Sequence, residues 1–431
     1  MDRVIESKGY IDLNYVPSKE ELVCAFFVEP AKGISFETAV KKVASESSIG
    51  TWTDIDNLSH KLFEELSPKV FCIDKKKGIF RIAYSKQLFE EHNIAQIVSS
   101  VAGNIFGMKD LKSIRLLDID FPESFVRHYS GPMYGVEGIR KILSVKDRPF
   151  VGAVVKPKIG LTEEQHSNIA FDSWVGGCDY VSDDENLTSM PYNNFEKRVK
   201  LTLKARDRAE KITGEKKAYL PNITAPYYEM VRRAEFVLAH GGEFVMVDFV
   251  TAGWSAIQAL KDQDFRVILH GHRAMHAAFT RDPKHGISML VLSKLCRLIG
   301  FDQLQVGGFA GRMSEDKDDV SRIGEVIEQK VVSEDIFKHR LQENWLKLKP
   351  TMAVCSGGLS PANVQPLIHA LGRDILISFG GGVHGHPAGT IAGAKAARQA
   401  VDAEMLGIDP LEYAKTHLEL SLALKKWKIK K

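Results

Sequence analysis

From Phe150 onward, short apolar segments alternate with amphipathic stretches, and this alternation constrains the fold more than any other feature. Stretches with helical periodicity, such as EEQHSNIAFDSWV and GISMLVLSKLCRLI, lie between the apolar segments. Eight strands with interleaved helices over about 250 residues predict an α/β fold of the (β/α)8 TIM-barrel type. A doubly wound open sheet is the alternative, but the GxGxxG motif expected after its first strand is absent. The eight apolar segments are FVGAVVKP, DYVSDD, AYLPNIT, FVMVDFV, FRVILHGH, QLQVGG, MAVCSGG and ILISFGGG.

The N-terminal part of the chain has a different pattern. LVCAFFVEP and GIFRIAYS are typical of strands, whereas ISFETAVKKVASESS and NIAQIVSSVAGNIF are typical of helices. This mixture predicts an α+β module. We therefore expect two domains, an N-terminal α+β domain over residues 1–125 and a barrel over residues 126–431 that carries the active site.

Composition and charge exclude several classes of function. The net charge of the 431 residues is only +3, which argues against nucleic acid or a membrane surface as a partner. Five cysteines are scattered without a CxxC pair, as in a reducing compartment. No apolar run approaches the roughly 18 residues of a membrane span, and MDRVIESKGY lacks the apolar core of a signal peptide. We expect a cytoplasmic enzyme.

Polar residues follow the ends of the eight predicted strands. The active sites of TIM barrels lie at the carboxyl ends of the strands, so these side chains should meet at one end of the barrel. In chain order the strand ends are Lys156-Pro157-Lys158, Asp183-Asp184-Glu185, Asn222, Asp248, His270-Gly271-His272-Arg273, Gly307-Gly308, Ser356-Gly357-Gly358 and Gly380-Gly381-Gly382.

The stretch GGCDYVSDDENL places three carboxylates in a row after a serine. An isolated acidic triplet is usually a solvated loop. At a barrel strand end, however, carboxylates suit Mg²⁺, which would keep several water ligands. Strand alternation turns one of Asp183 and Asp184 inward and the other outward. We predict a weak magnesium site at Asp184 and Glu185.

The glycine-rich ends of the seventh and eighth strands are candidates for phosphate binding. Backbone N–H groups at such positions bind anions, although a glycine pair can also simply turn the chain. The predicted residues are Ser356, Gly357, Gly358, Gly380 and Gly381.

Basic side chains at two other strand ends are candidates for catalysis. Arg273 can bind a second phosphate through two hydrogen bonds, and His272 can transfer a proton, with His276 in support. Lys156 and Lys158 point to opposite faces if the strand continues through Pro157, so one would enter the site and the other would support a neighbouring loop. A desolvated lysine can act as an acid or a base.

Several of these stretches together resemble one family. SESSIGTWT, AGNIFGM, VVKPKIGLT, GGCDYVSDDENLTS, HGHRAMHAAFTRDPKHGIS, SGG and FGGGVHGHP are similar to the large subunit of ribulose-bisphosphate carboxylase (RuBisCO), with the archaeal form III branch closest. The resemblance implies a barrel with an N-terminal α+β domain. It also implies a homodimer, or a higher oligomer of dimers, in which each subunit completes the partner's active site.

The resemblance also implies residue roles. Lys156 would protonate the reaction intermediate with support from Lys158, Asp184 and Glu185 would bind metal, and His272 and Arg273 would contact the substrate. Ser356, Gly357, Gly380 and Gly381 would bind its hydroxyl and phosphate groups. The residues that enter the partner's site would be Glu46, Thr51, Trp52 and Asn104.

Three positions depart from the family pattern. The family reads K-D-D-E where this chain has Ser182-Asp183-Asp184-Glu185, so Ser182 replaces the lysine whose carbamate binds magnesium and starts enolisation. Gln305 stands where the family has a phosphate-binding histidine, and Arg312 where a loop lysine polarises carbon dioxide. A serine hydroxyl cannot form the carbamate, and the planar guanidinium of Arg312 differs from a compact ammonium.

These departures predict a RuBisCO-like protein of the form IV type. Such an enzyme would enolise, isomerise or decarboxylate a phosphorylated ketose or sugar acid without fixing carbon dioxide. Lys156 would be the base, with His272 as the alternative. Two other hypotheses stay open at this point: a genuine ribulose-1,5-bisphosphate carboxylase of the archaeal form III type, and a catalytically idle phosphosugar-binding protein.

Overall fold

The computed structural model describes residues 9–50, 57–311, 316–336 and 339–428. The strands, in chain order, are β1 Leu22–Pro30, β2 Lys69–Asp74, β3 Ile79–Tyr84, β4 Leu111–Asp120, β5 Phe150–Val154, β6 Tyr180–Ser182, β7 Ala218–Leu220, β8 Phe244–Asp248, β9 Ile268–His272, β10 Gly286–Ile287, β11 Gln303–Gln305, β12 Val331–Val332, β13 Glu343–Asn344, β14 Met352–Cys355 and β15 Ile375–Phe379.

Helices occupy most of the sequence between the strands. In chain order the α-helices are α1 Phe36–Glu46, α2 His60–Leu66, α3 Ile94–Val101, α4 Glu123–Val126, α5 Gly135–Leu143, α6 Glu163–Val175, α7 Phe195–Thr213, α8 Tyr227–Ala239, α9 Phe249–Ala252, α10 Trp254–Asp262, α11 Ala277–Thr280, α12 Met289–Ile299, α13 Lys317–Glu328, α14 Val364–Leu371, α15 Gly381–His384, α16 Gly389–Met405, α17 Pro410–Tyr413 and α18 Leu418–Lys426. Within the described ranges, no helix is both long and apolar enough to span a membrane.

The chain forms two compact units. The first comprises Met1–Ser130, Met275–Ile299 and Gln329–Leu348, and the second comprises Gly131–Ala274, Gly300–Glu328 and Lys349–Lys431. The recruitment of residues 275–299 and 329–348 into the first unit is not evident from the sequence pattern, because the pairing that joins them to it is long-range. The division at residue 125 therefore stays a prediction about sequence domains.

The first unit is built on a five-stranded sheet with the order β10-β4-β1-β3-β2. Strand β1 is antiparallel to both β3 and β4, and the short β10 adds to the edge of β4 in parallel. A buried charge cluster joins its three chain segments, because Lys294 Nζ lies 2.8 Å from Asp118 Oδ1 and 3.3 Å from Glu343 Oε2. Burial alone would lower the pKa of Lys294, but the two carboxylates raise it.

The second unit is the predicted barrel, and the prediction of an eight-stranded α/β fold is confirmed. The eight strands are parallel in the order β7-β6-β5-β15-β14-β11-β9-β8. The two ends of this order meet through a parallel bridge between Asn222 and Met246, which nearly closes the sheet on itself. All eight predicted apolar segments contain a barrel strand.

The two ends of the barrel differ in chemistry. The amino ends of the strands carry Phe150, Tyr180, Phe244 and Met352, which form one buried cluster with the apolar face of α5. Burying apolar side chains contributes about 25 cal/mol per Å², so this end supplies stability. Helix α6 begins at a capping box of Thr162 and Gln165, which fixes the turn after β5. Polar side chains are left for the opposite end.

Candidate active site

The carboxyl ends of strands β5 and β6 bring two lysines and two carboxylates together. Lys156 Nζ donates to Asp184 Oδ2, and Lys158 Nζ donates to Glu185 Oε1. Lys158 Nζ also lies 3.8 Å from Asp184 Oδ1. Asp184 is buried, whereas the side chains of Lys156 and Lys158 are 28% and 47% exposed. The prediction that the two lysines separate is therefore wrong: β5 ends at Val154, so strand alternation does not apply to them.

The acidic triplet divides between two environments. Asp183 is fully buried beneath the site, where it lies 3.0 Å from Arg198 Nη2 and 3.1 Å from His166 Nε2 and accepts from Tyr219. Burial would raise the pKa of Asp183, but Arg198 and His166 lower it to about 2. Asp184 instead faces the lysines. Of the two aspartates, Asp184 is therefore the one that faces into the site, and Asp183 is the one that supports the strand from below.

Asp184 and Glu185 titrate as a pair. Burial and the hydrogen bond shared with Glu185 raise the pKa of Asp184. Burial would also raise the pKa of Glu185, but hydrogen bonds from Asp184 and Lys158 lower it. Adjacent carboxylates in a partly buried site need positive charge to stay ionised. The two lysines supply that charge here, and a divalent cation could supply it in their place.

His272, at the end of β9, lies next to these carboxylates. Its Nδ1 is 2.8 Å from Asp248 Oδ1, and its Nε2 is 4.0 Å from Glu185 Oε2. One ligand atom from each of Asp184, Glu185 and His272 lies within 4.8 Å of the others, which is close enough for one metal ion. Two carboxylates and an imidazole are a donor set that divalent metals accept. These residues therefore fit a metal.

Asn222 and Asp248 are functional candidates that the sequence identified only as strand ends. Asn222 Nδ2 donates to the carbonyl oxygens of Glu185 at 3.0 Å and Asp184 at 3.3 Å. Thr224 Oγ1 donates to Asp248 Oδ2 at 3.3 Å. Asn222 thus holds the carboxylate loop in place. Asp248 lies beside the His272 ring, whose Nδ1 accepts from the Ala274 backbone N–H at 3.2 Å. Their position at the ends of β7 and β8 was the available signal.

The glycine-rich strand ends are explained in part by close backbone packing. A Cβ on Gly308 would lie 2.7 Å from the Ser356 carbonyl oxygen, and one on Gly382 would lie 2.1 Å from the Leu359 carbonyl oxygen. Gly357 and Gly358 have φ values of 110° and 72°, which favour glycine. These glycines let neighbouring loops touch, and their role in phosphate binding stays a prediction.

Gly380 has a particular relation to the site. A Cβ at this position would lie 2.9 Å from Lys156 Cε, whereas one at Gly381 would meet nothing within 4 Å. Gly380 therefore leaves the space that the Lys156 side chain occupies. Burial lowers the pKa of His384, on the short helix after it, to about 4, so this histidine is neutral near pH 7.

The other predicted site residues have various surroundings. Arg273 is buried at the end of β9, where its Nη1 donates to the Val306 carbonyl oxygen at 3.4 Å. Gln305 is the buried last residue of β11, and Ser182 is the buried last residue of β6. In the first unit, Glu46 accepts from Asn104 Nδ2 at 3.3 Å. His276 lies 2.9 Å from Thr280 Oγ1 and joins the first unit. Thr51, Trp52 and Arg312 lie outside the described residues.

The parallel barrel carries paired lysines and carboxylates at the carboxyl ends of its strands, which is where TIM-barrel enzymes have their active sites. The family model for the ribulose bisphosphate carboxylase large chain, catalytic domain, matches residues 135–427, and the model for the N-terminal domain of the same chain matches residues 9–125. The chain belongs to the RuBisCO large-subunit family.

Relatives with known names cover almost the whole chain. It is 49% identical over 423 residues to the ribulose bisphosphate carboxylase of Methanosarcina mazei, with 97% of this chain and 99% of the relative aligned. It is 46% identical to the Methanocaldococcus jannaschii protein of the same name, with 97% and 100% aligned.

Solved structures of archaeal Rubisco are also similar to this chain over almost its whole length. The dimeric archaeal Rubisco from Hyperthermus butylicus superposes with a TM-score of 0.90 at 43% identity, covering 98% of this chain and 99% of that one. The octameric enzyme from Pyrococcus horikoshii has a TM-score of 0.89 at 45% identity, covering 98% and 97%.

These relatives contradict the prediction of a non-carboxylating enzyme. They are named carboxylases, so a form IV RuBisCO-like assignment with isomerase or lyase activity is wrong by this comparison, and the carboxylase alternative is better supported. The error came from weighting Ser182, Gln305 and Arg312 above the agreement of the rest of the chain. The family membership and the archaeal affinity are confirmed.

Proposed function

We propose that this protein is a ribulose bisphosphate carboxylase, which adds carbon dioxide to ribulose 1,5-bisphosphate. The observation that carries the proposal is identity of 46–49% to archaeal proteins of that name over 97% of the chain. Agreement over this length includes both units and all eight barrel strands. The substrate is therefore a sugar with two phosphates, bound across the carboxyl ends of the strands.

The charges of the strand ends support such a substrate. Lys156 and Lys158 follow the end of β5, and Arg273 follows the end of β9, so three cationic groups lie at these strand ends. An anionic sugar would find complementary charge there. We assign one phosphate to Arg273 and the other to the backbone at Ser356-Gly357 and Gly380-Gly381. The glycines there admit close approach of a ligand as well as of a neighbouring loop.

Magnesium is the metal that this family generally uses, and the carboxylates suit it. Asp184 and Glu185 provide the hard oxygen donors that Mg²⁺ prefers. When bound there, a divalent cation would polarise the oxygens of the substrate at the reacting carbons. Asn222 holds both residues through their carbonyl oxygens, so their carboxylates keep a fixed position in the site.

We assign proton transfer to Lys156. Its Nζ reaches Asp184 and occupies the space beside Gly380, so it is held at a defined point of the site. The Lys156 side chain is 28% exposed, so the group is partly enclosed by the site and still accessible to a substrate. Ser182 cannot carry a carbamate, so the chain needs another side chain for this task.

We further propose that the active protein is a homodimer or an oligomer of dimers. Related solved structures are dimeric and octameric. Glu46 and Asn104 lie together in a small cleft of the first unit, and the resemblance assigns both to the partner's site.

The direct test is fixation of labelled bicarbonate. Purified protein is incubated with ribulose 1,5-bisphosphate, Mg²⁺ and ¹⁴C-bicarbonate, and acid-stable label is counted. We expect label that depends on the sugar, is lost in Asp184→Ala and is unchanged in His369→Ala, which alters a 60% exposed histidine on α14. Incorporation no higher than in Asp184→Ala would refute the proposal.

A further inference from the structure

The first unit contains a cleft that is lined entirely by its own residues. The cleft has a volume of about 560 Å³, and its walls come from β1, β2, β3, the end of β4, β12 and β13. We call it the β12–β13 cleft. Cavities of roughly 300–1,000 Å³ are typical of small-molecule sites. None of the residues predicted for the active site lines this cleft, so a ligand bound here would be distinct from the sugar substrate.

The walls of the β12–β13 cleft carry more negative than positive charge. Two cationic side chains line it, of which Arg81 is already paired with Glu334 and Lys19 is exposed. Five carboxylates line the same space, and a cationic ligand would therefore find complementary charge. These carboxylates are Glu21, Asp120, Glu123, Glu334 and Glu343.

Two of these carboxylates belong to the buried charge cluster around Lys294. Lys294 Nζ lies 2.8 Å from Asp118 Oδ1 and 3.3 Å from Glu343 Oε2. Asp120, two residues further along β4, is near enough for the charge of Lys294 to lower its pKa. One ammonium group thus serves three carboxylates. Asp120 and Glu343 line the cleft and Asp118 does not, so the unbalanced negative charge lies on the cleft side.

Glu343 is the least satisfied member of this cluster. Its side chain is fully buried, and neither of its carboxylate oxygens accepts a hydrogen bond within the described parts of the chain. Burial raises the pKa of Glu343 to about 8 against the opposing charge of Lys294, and Asp120 and Asp118 add to the rise. Burial also raises the pKa of Asp120 to about 6. Buried carboxylates need a nearby positive charge to stay ionised, so these two favour a cation in the cleft.

The remaining wall of the cleft is largely apolar. Phe71, Phe121 and Leu341 line it, and the two aromatic rings can also attract a cation through their faces. A bare metal ion would fill little of a space of about 560 Å³ and would gain nothing from an apolar wall. The combination of carboxylates and apolar side chains therefore favours an organic cation over a metal ion.

We propose that the β12–β13 cleft binds a small organic cation, a primary amine with an apolar body. Its ammonium group lies at Asp120 and Glu343, where it donates hydrogen bonds to both carboxylates and balances the cluster around Lys294. Its apolar body lies against Phe71 and Phe121. The inference does not depend on the proposed function, because it concerns another part of the chain.

The test is isothermal titration calorimetry of the full-length protein with benzylamine as the probe. Benzyl alcohol, a neutral molecule of nearly the same shape, is the matched ligand control. We expect one benzylamine site per chain and binding of benzyl alcohol that is at least about 10-fold weaker, because hydrogen bonds between charged groups are the strong ones. Asp120→Asn should weaken benzylamine binding by at least about 10-fold. Asp110→Asn, which removes a carboxylate paired with Lys42 elsewhere in the first unit, should leave it unchanged.

Glu343→Gln should weaken benzylamine binding as well, with circular dichroism to show that the variant folds. If that variant does not fold, Asp120→Asn decides, because Asp120 is only partly buried. Four results would overturn the inference: no detectable benzylamine binding, equal affinity for benzylamine and benzyl alcohol, full affinity in Asp120→Asn, or a Ca²⁺ site that depends on Asp120 and takes no benzylamine. The bicarbonate-fixation assay is scored separately. Fixation without benzylamine binding removes this inference alone, and benzylamine binding without fixation removes the proposed function alone.

Discussion

Replacing Gly380 with alanine should disable the site while leaving the fold intact. The new Cβ would lie 2.9 Å from Lys156 Cε. Carbon atoms pack best at roughly 3.5–4.0 Å, so the end of the lysine must move by about 0.6 Å or more. The obstructing atom belongs to the flexible end of a side chain, so the protein can relieve the overlap cheaply. We expect this movement to disturb the contact between Nζ and Asp184.

We expect the substitution to reduce the rate of turnover rather than the stability of the fold. A displacement of about 1 Å in a catalytic group can reduce a rate by roughly 100-fold. We expect kcat for carboxylation to fall by between about 10-fold and 100-fold, with the free energy of unfolding changed by less than about 1 kcal/mol. Steady-state bicarbonate fixation gives kcat, and urea denaturation gives the stability.

Gly381→Ala provides the matched control, because a Cβ there meets nothing within 4 Å. It adds the same methyl group one residue away. If both variants lose activity equally, the loss arises from substrate contacts at this loop and the Lys156 argument fails. Full activity of Gly380→Ala would also refute the reasoning.

Two further predictions concern stability. Asp183→Asn should remove the acid sensitivity of the folding stability that this carboxylate causes. The pKa of Asp183 falls from 3.8 to about 2 on folding, so its stabilisation of about 2 kcal/mol is complete above pH 4 and is lost as pH falls towards 2. Urea unfolding at several pH values should show the difference in free energy of unfolding between the two proteins narrowing over that window, and a constant difference would contradict the prediction. Lys294→Met should lower the free energy of unfolding in urea by about 3–5 kcal/mol, because it leaves Asp118 and Glu343 buried without their cation. Lys42→Met, at an exposed pair with Asp110, should lower it by less than about 1 kcal/mol. Equal losses of stability in the two variants would show that burial does not decide the effect.

The barrel could be predicted from the sequence because its information is local. Each strand is a short apolar segment followed by polar residues, and each of the eight segments contains a barrel strand, from FVGAVVKP at β5 to ILISFGGG at β15. The recruitment of β10 to the edge of β4 could not be predicted in this way. A two-residue strand has no periodicity, and its partner lies more than 160 positions earlier in the chain.

The sequence predicted which residues lie at the site better than it predicted how those residues pair with one another. Lys156 and Lys158 follow the end of β5, where the period-two rule stops applying, and both turn to the same carboxylates. The pairing of His272 with Asp248 joins two strands and leaves no trace in spacing. The mistaken inference about activity had a different origin, since three single positions were allowed to outweigh a resemblance over the whole chain.

The three acidic residues at the end of β6 are linked to one another by hydrogen bonds through Asn222. Asp183 is neutralised from below by Arg198 and His166, and it also accepts from the Asn222 backbone N–H at 2.9 Å. The side chain of Asn222 in turn holds the carbonyl oxygens of Asp184 and Glu185. One carboxylate thus anchors the loop that presents the other two to the lysines. Asp183→Asn should therefore weaken metal binding at Asp184 and Glu185 although Asp183 faces away from them.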